Sequence, residues 1–271
     1  MAHLHHFGAG WISPVLAYAM ACVGSALGLR CTVRALATEG RSRRNWLLTA
    51  SAAIGSGIWT MHFIAMLGFG VAGSAIRYDV PLTLLSLLVA MAVVGAGVFT
   101  VGYGRSRTRS LLLGGLGTGI GVGAMHYLGM AALRLNGSVG YDLPLVVLSL
   151  AIAVVAATAA LWAALAVRGT AGAVIASLVM GAAVSSMHYT GMAAVRITIG
   201  PTRAVLDGAT AMDFVFPLAV VLGSFLFLAS AFVALSPTTR QATRATTLAG
   251  AMGAAGGAGA GLPSAASPSA G

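Results

Sequence analysis

Three short segments of this 271-residue chain combine imidazole with thioether. They read Met61-His62-Phe63-Ile64-Ala65-Met66, Met125-His126-Tyr127-Leu128-Gly129-Met130 and Met187-His188-Tyr189-Thr190-Gly191-Met192. The histidines stand 64 and 62 residues apart, and every histidine beyond the first six residues belongs to one of the segments. On a helix, positions i and i+4 share a face. His62 then pairs with Met66, His126 with Met130 and His188 with Met192. The leading methionines, Met61, Met125 and Met187, lie about 100° round the helix from their histidines. They can reach the same centre from the flank or simply pack. Three imidazoles and several thioethers at one depth make a ligand set for a soft metal. Imidazole with thioether suits copper, Cu(I) above all, whereas hard metals want carboxylates. Asp79, Asp142 and Asp213 begin the next segments and are placed to orient the imidazoles from a second shell. The plainer reading of a single Met-His pair is structural, a histidine bonded to a neighbouring membrane helix with methionine filling apolar gaps. Three copies at matched depth favour function, since ionisable side chains inside a membrane usually mark it.

The elements that must hold these residues follow from composition. The chain is 58% hydrophobic and 7% charged, against about 25% charged in a soluble domain. Its apolar residues form seven blocks, near 11–29, 46–69, 80–101, 111–133, 143–167, 171–194 and 213–235. Blocks of roughly 20 apolar residues cross a bilayer as helices, the form that satisfies every backbone amide inside its own segment. The expectation is an all-α, polytopic membrane bundle of seven transmembrane helices joined by short connections. Residues 1–10 form a short outer N-terminus, 11–235 the bundle, and 236–271 a disordered cytoplasmic tail rich in Ala, Gly, Ser, Pro and Thr.

The net charge of +10 does not indicate nucleic acid, because the charges lie between the apolar blocks and form no continuous surface. All fifteen basic residues are arginine. Eleven (Arg30, Arg34, Arg41, Arg43, Arg44, Arg105, Arg107, Arg109, Arg168, Arg240 and Arg244) fall on one side; Arg77, Arg134, Arg196 and Arg203 fall on the other. The positive-inside rule makes the richer side cytoplasmic. The N-terminus is then outside, the C-terminus inside, and the three motifs lie near the outer face of the plasma membrane. The first ten residues hold no Lys or Arg, so no cleavable signal is expected. Cys22 and Cys31 are not spaced as a metal or redox pair and read as packing residues. With no lysine, the chain has no residue for a retinal Schiff base.

The blocks repeat. One helix type opens on proline, at Pro14, Pro81, Pro144 and Pro217, with Asp79, Asp142 and Asp213 before the first turn. The other ends in the histidine motif. The bundle is thus three parallel two-helix repeats plus a final proline helix, and a pseudo-threefold arrangement of the histidine helices is expected. The alternating glycines from Gly115 to Gly123 allow close helix approach. Gly119-x-Gly121 is no dinucleotide fingerprint, because no strand precedes it. His3, His5 and His6 form a short cluster that either captures metal or is simply a terminus. Arg134 and Arg196, at one interval after their motifs, are expected to snorkel to the outer interface.

The triple Met-His-aromatic pattern on alternate helices resembles the MHYT domain family, bacterial integral-membrane sensor domains, over about 11–235. Phe63 departs from the family's usual tyrosine. The resemblance implies a non-enzymatic sensory role and a copper site built from His62, Met66, His126, Met130, His188 and Met192, with Met61, Met125 and Met187 as further ligands. It also implies detection of oxygen, carbon monoxide or nitric oxide. Many members attach the bundle to cyclic-dinucleotide domains. None is expected here, so output would need an unknown signalling partner protein. Haem ligation by two of the histidines and metal transport are the alternatives, the second weakened by the lack of carboxylates at the membrane midplane.

Overall fold

The computed structural model of the protein describes residues 4–5, 10–167, 169–200 and 206–235. The expected tail, together with Arg168, Arg203, Arg240, Arg244, His3, His6 and the side chain of His5, lies outside them. The chain divides into two units, Met1–Ala231 and Phe232–Gly271. Of the second, only the end of the last helix is described.

Among the described residues seven helices form: α1 (Ile12–Leu36), α2 (Gly40–Leu67), α3 (Val80–Tyr103), α4 (Arg107–Ala131), α5 (Leu143–Ala166), α6 (Gly169–Ala193) and α7 (Phe216–Leu235). Each is long and apolar enough to cross a membrane, α7 together with the turn before it, and the chain is a multi-pass membrane protein. Several run past the apolar blocks. α1 continues through Arg30 and Arg34, and α2 already includes Arg41, Arg43 and Arg44. Hydropathy marks only the stretch that sits in hydrocarbon. A helix whose ends emerge keeps its internal hydrogen bonds, and arginine is a good helix former.

The proline helices start as their sequences require. Asp79 accepts the N–H of Leu82 at 3.0 Å and Asp142 that of Leu145 at 3.4 Å, with Pro81 and Pro144 in the first turn. α7 differs. A π-helical turn, Ala211–Val215, precedes it, and Asp213 sits inside that turn rather than before it, bonded to Thr210.

Among the described residues the loops carry three antiparallel ribbons that the helical reading did not anticipate. β1 (Leu4–His5) pairs with β2 (Gly70–Val71), β3 (Arg77–Tyr78) with β4 (Leu133–Arg134), and β5 (Gly137–Tyr141) with β6 (Val195–Ile199). Each ties the segment before an odd-numbered helix to the segment after the next even-numbered one. The closing bonds correspond: the Asp79 N–H donates to Ala132 and the Asp142 N–H to Ala194, both at 2.8 Å.

Helices α1 to α6 each pack on their chain neighbours, and α6 returns against α1 to close a ring. One glycine, seven residues before each histidine, sets the spacing. A Cβ on Gly55 would stand 2.6 Å from Met91 Cα in α3, one on Gly119 2.4 Å from Val154 Cα in α5, and one on Gly181 2.5 Å from Cys22 Sγ in α1. So α1 follows α6 in space as α3 follows α2 and α5 follows α4, which is the expected pseudo-threefold relation. The position that α7 would occupy in a chain-ordered ring is taken by α1. α7 instead meets α1 where Gly223 faces the Met20 side chain.

Candidate metal centre

Each motif histidine stands five residues before its helix ends, at Leu67, Ala131 and Ala193. At 1.5 Å per residue all three lie about 7.5 Å below the ends of their helices. Ring closure then turns them onto a common axis. His62, His126 and His188 are 1, 0 and 1% exposed. His62 Nδ1 is 2.9 Å from His188 Nδ1 and 3.2 Å from His126 Nδ1. The rings meet edge to face with centroids 4.9, 4.9 and 5.2 Å apart. One nitrogen from each of the three falls within a 4.8 Å circle, so the cluster can hold a metal ion.

Two observations test the fit. Three nitrogens at about 2.0 Å from one ion would be about 3.3 to 3.5 Å apart; the two Nδ1 separations from His62, 2.9 and 3.2 Å, are close to that, and the set as a whole lies within 4.8 Å, so His126 and His188 would draw together on an ion. The second concerns protons. A neutral imidazole carries one N–H and one lone pair. His62 Nδ1 faces two other Nδ1 atoms, and its single lone pair or hydrogen serves only one of them well. Nε2 of His62 and of His126 are buried with no hydrogen-bond partner among the described residues. Polar atoms in this condition are costly in a protein interior; a cation at the Nδ1 meeting point would use the facing Nδ1 lone pairs and leave these Nε2 atoms as N–H groups without an acceptor.

The Nε2 edges meet glycine. A Cβ on Gly129 would lie 2.6 Å from His62 Nε2, and one on Gly191 2.5 Å from His126 Nε2. Each imidazole of the first two repeats is thus seated on the backbone of the next histidine helix. The corresponding residue of the first repeat is Ala65, so the threefold relation is imperfect here.

This seating corrects the expected second shell. Asp79 and Asp142 do not orient the imidazoles. Their carboxylates cap helices and accept from Arg134 at 2.6 Å and Arg196 at 3.0 Å, while Asp213 engages Thr210. Arg134 and Arg196 latch the loop before each proline helix to the loop after the next histidine helix. The Leu82 N–H and then the Arg134 guanidinium hold the Asp79 carboxyl below the usual carboxylate range. For Asp142 the larger influence is Arg196, followed by the Leu145 N–H.

All six motif methionines are buried, none more than 4% exposed. Met61 packs in a small cluster with Ala17, Ala21 and Ala65, while Met66, Met125, Met130, Met187 and Met192 belong to the main core. Met130 also lines a cleft of about 940 Å³ at the ribbon end, with Asp79, Arg134, Asn136 and Tyr141.

The motif aromatics stack edge-on against their own histidines, with centroids 4.7 to 5.0 Å apart. Tyr127 Oη and Ser149 Oγ are 2.7 Å apart and share a hydrogen bond. Ser86 stands at the same place in the preceding repeat, but Phe63 has no hydroxyl to offer it. The Trp59 indole N–H donates to Ser86 Oγ instead, at 2.9 Å. Sequence reading missed Trp59, Ser86, Ser149, Gly129 and Gly191 as supports of the centre. The matching Pro81-to-Ser86 and Pro144-to-Ser149 intervals were the available signal.

The model of the "Bacterial signalling protein N terminal repeat", MHYT, matches residues 55–115 and 119–177. A bifunctional diguanylate cyclase/cyclic di-GMP phosphodiesterase, MucR of Pseudomonas aeruginosa, is 40% identical over 186 residues, covering 67% of this chain and 27% of that protein. The cyclic di-GMP phosphodiesterase NbdA of the same organism is 38% identical over 190 residues, 68% of this chain and 24% of that protein. The signaling protein YkoW of Bacillus subtilis is 32% identical over 193 residues, 66% of this chain and 23% of that protein. The chain therefore spans about a quarter of the length of the curated relatives it matches. No solved structure matches it.

Proposed function

The chain belongs to the MHYT family of bacterial membrane signalling domains, and from that premise we propose that its histidine cluster holds one copper ion whose ligation by a diatomic gas (oxygen, carbon monoxide or nitric oxide) is the sensed event. The observation that carries the reading is the convergence of three buried Nδ1 atoms with no carboxylate in the cluster. His62, His126 and His188 would hold the ion through Nδ1. Met66, Met130 and Met192, with Met61, Met125 and Met187, are the thioethers available beside them. Charge favours the monovalent ion. The cost of placing an ion in a low-dielectric interior grows with the square of its charge, and neutral ligands stabilise the ion by coordination but leave its net charge uncompensated. A Cu(I) centre leaves one buried positive charge where Zn(II) would leave two. Bound copper would supply a soft site that takes a small π-accepting ligand. The haem alternative is less well supported, since ring centroids about 5 Å apart leave no slot for a macrocycle.

The arginine distribution supports an orientation with the ribbons and the cleft over Met130 outside and the α1–α2, α3–α4 and α5–α6 turns inside. The relatives' names join their proteins to cyclic di-GMP synthesis or breakdown, and a cyclic-dinucleotide enzyme is the output we infer for this bundle. A gas can drive that output only by preferring one helix arrangement over another. The test is metal analysis of purified protein. Near-stoichiometric copper in wild type and its loss in His126→Ala/His188→Ala is the expected result. Copper-free wild type prepared from copper-replete cells would overturn the reading. An intense Soret band would point to haem, and copper flux in proteoliposomes to transport.

A further inference from the structure

Below the three imidazoles, on the side away from the ribbons, lies a cavity of about 60 Å³ walled by all six ring helices. Ile58, Val122 and Val184 each precede a motif histidine by four residues, and all three line it. One turn further along the same stripes, Ile54, Thr118 and Met180 line it too. The cavity is therefore coaxial with the histidine cluster, and its roof is the helical turn, about 5.4 Å deep, on which the imidazoles stand. α5 leaves the room by presenting Ala153, Ala156, Ala157, Ala160 and Ala164.

The lining is chemically selective. Among the described residues, no charged side chain lines the cavity. Two of its three hydroxyls are already committed, Thr32 donating to Gly28 O at 2.8 Å and Thr118 to Val93 O at 3.4 Å. A buried water wants about three hydrogen bonds, and apolar cavities without such partners stay dry and take up apolar solutes or xenon. The volume matches about two molecules of water-like size, each occupying about 30 Å³ in a liquid. Anions, hydrated cations and sugars find no partner here.

We propose that this cavity is a binding site for a small, uncharged, apolar gas molecule, seated under the histidine cluster. The proposal rests on the gas-sensing reading of the cluster and deepens it. Gas dissolved in hydrocarbon is held against Ile58, Val122 and Val184, one turn from the imidazoles. An occupant that presses on these three residues also acts on the turn that positions each ring.

Xenon is the probe. The full chain in lipid nanodiscs is titrated with xenon and followed by ¹²⁹Xe NMR, alongside Ala157→Leu and, in case that variant misfolds, Ala153→Leu. Copper content and circular dichroism are measured on each sample. The expected result is a saturable, protein-dependent xenon shift in wild type that falls at least fivefold in a folded filled variant. The shift should persist after copper is stripped with a chelator. An equal shift in wild type and a folded filled variant would mean xenon dissolves only in lipid, and would overturn the proposal. The two readings fail separately: copper without a xenon site sinks the cavity, and a xenon site without copper sinks the metal.

Discussion

Gly129→Ala probes the centre through a residue that offers no ligand atom. The new methyl would stand 2.6 Å from His62 Nε2, where ordinary contact begins near 3.4 Å. Either the imidazole retreats by about 0.8 Å or α4 moves away. Retreat is opposed on every side, since Phe63, His126 and His188 all lie against the ring, with centroids 4.7 to 4.9 Å away. Movement of α4 is opposed by Gly119, already in backbone contact with α5. Metal–ligand distances tolerate only about 0.2 Å, so a displacement near 0.8 Å takes one of three imidazoles out of bonding range. Loss of a supporting contact weakens metal binding about 10- to 100-fold. The upper end is expected here because a ligand itself is displaced, about 2.8 kcal/mol at 1.4 kcal/mol per tenfold. Competition of the protein with a chromophoric Cu(I) chelator reads this directly. Gly191→Ala, whose methyl would stand 2.5 Å from His126 Nε2, should behave alike. Gly117 on the same helix has nothing within 4 Å of its Cβ position. Gly117→Ala should leave affinity unchanged while favouring the helix by up to about 1 kcal/mol. A folded Gly129→Ala protein with wild-type copper affinity would refute the seating of His62 and the Nδ1-centred site together.

Other consequences follow from the same contacts. Gly119→Val, with its Cβ 2.4 Å from Val154 Cα, should push α4 off α5 and lower stability by about 1 to 3 kcal/mol in detergent unfolding. Phe63→Tyr should be destabilising alone, because Ser86 is occupied by Trp59. In a Trp59→Phe background the phenol gains that acceptor, so the double-mutant cycle should show a coupling of about 0.5 to 3 kcal/mol; additive effects would refute the exchange. The latches set a pH dependence. Asp79 and Asp142 have carboxyls held below their ordinary value when folded. Their contribution is then complete above the unfolded value of about 3.9 and disappears as pH falls through the lower folded value. Ribbon amide protection by hydrogen exchange should be flat from about pH 7 to 5 and weaken below about pH 4. Asp142→Asn should remove its share of that dependence in the β5–β6 ribbon.

Legibility varied with the range of the interaction. The ends of α3 and α5 could be read from Asp-x-Pro because capping is local. The ribbons could not, because two-residue strands such as Arg77–Tyr78 carry no periodicity and pair with partners more than fifty residues away. Asp79 and Asp142 follow the first two motifs closely in sequence, but Arg134 and Arg196 fold back over them and are their partners. Phe63 looked like a simple departure from the tyrosine pattern. Its reason is Trp59, which fills the same hydrogen-bonding place from one turn earlier.

Taken alone, the sequence determined that this chain crosses a membrane seven times and carries three histidines at one depth. Apolar length and the offset of a residue from its helix end are properties of a single segment. Only the tertiary structure decided that α1, not α7, closes the ring, that the Nδ1 atoms rather than the Nε2 atoms converge, and that the imidazoles stand over an apolar space. Those outcomes depend on how closely two helices approach. That distance is set by glycines meeting backbone or side chains far away in the chain, which no one-dimensional pattern records.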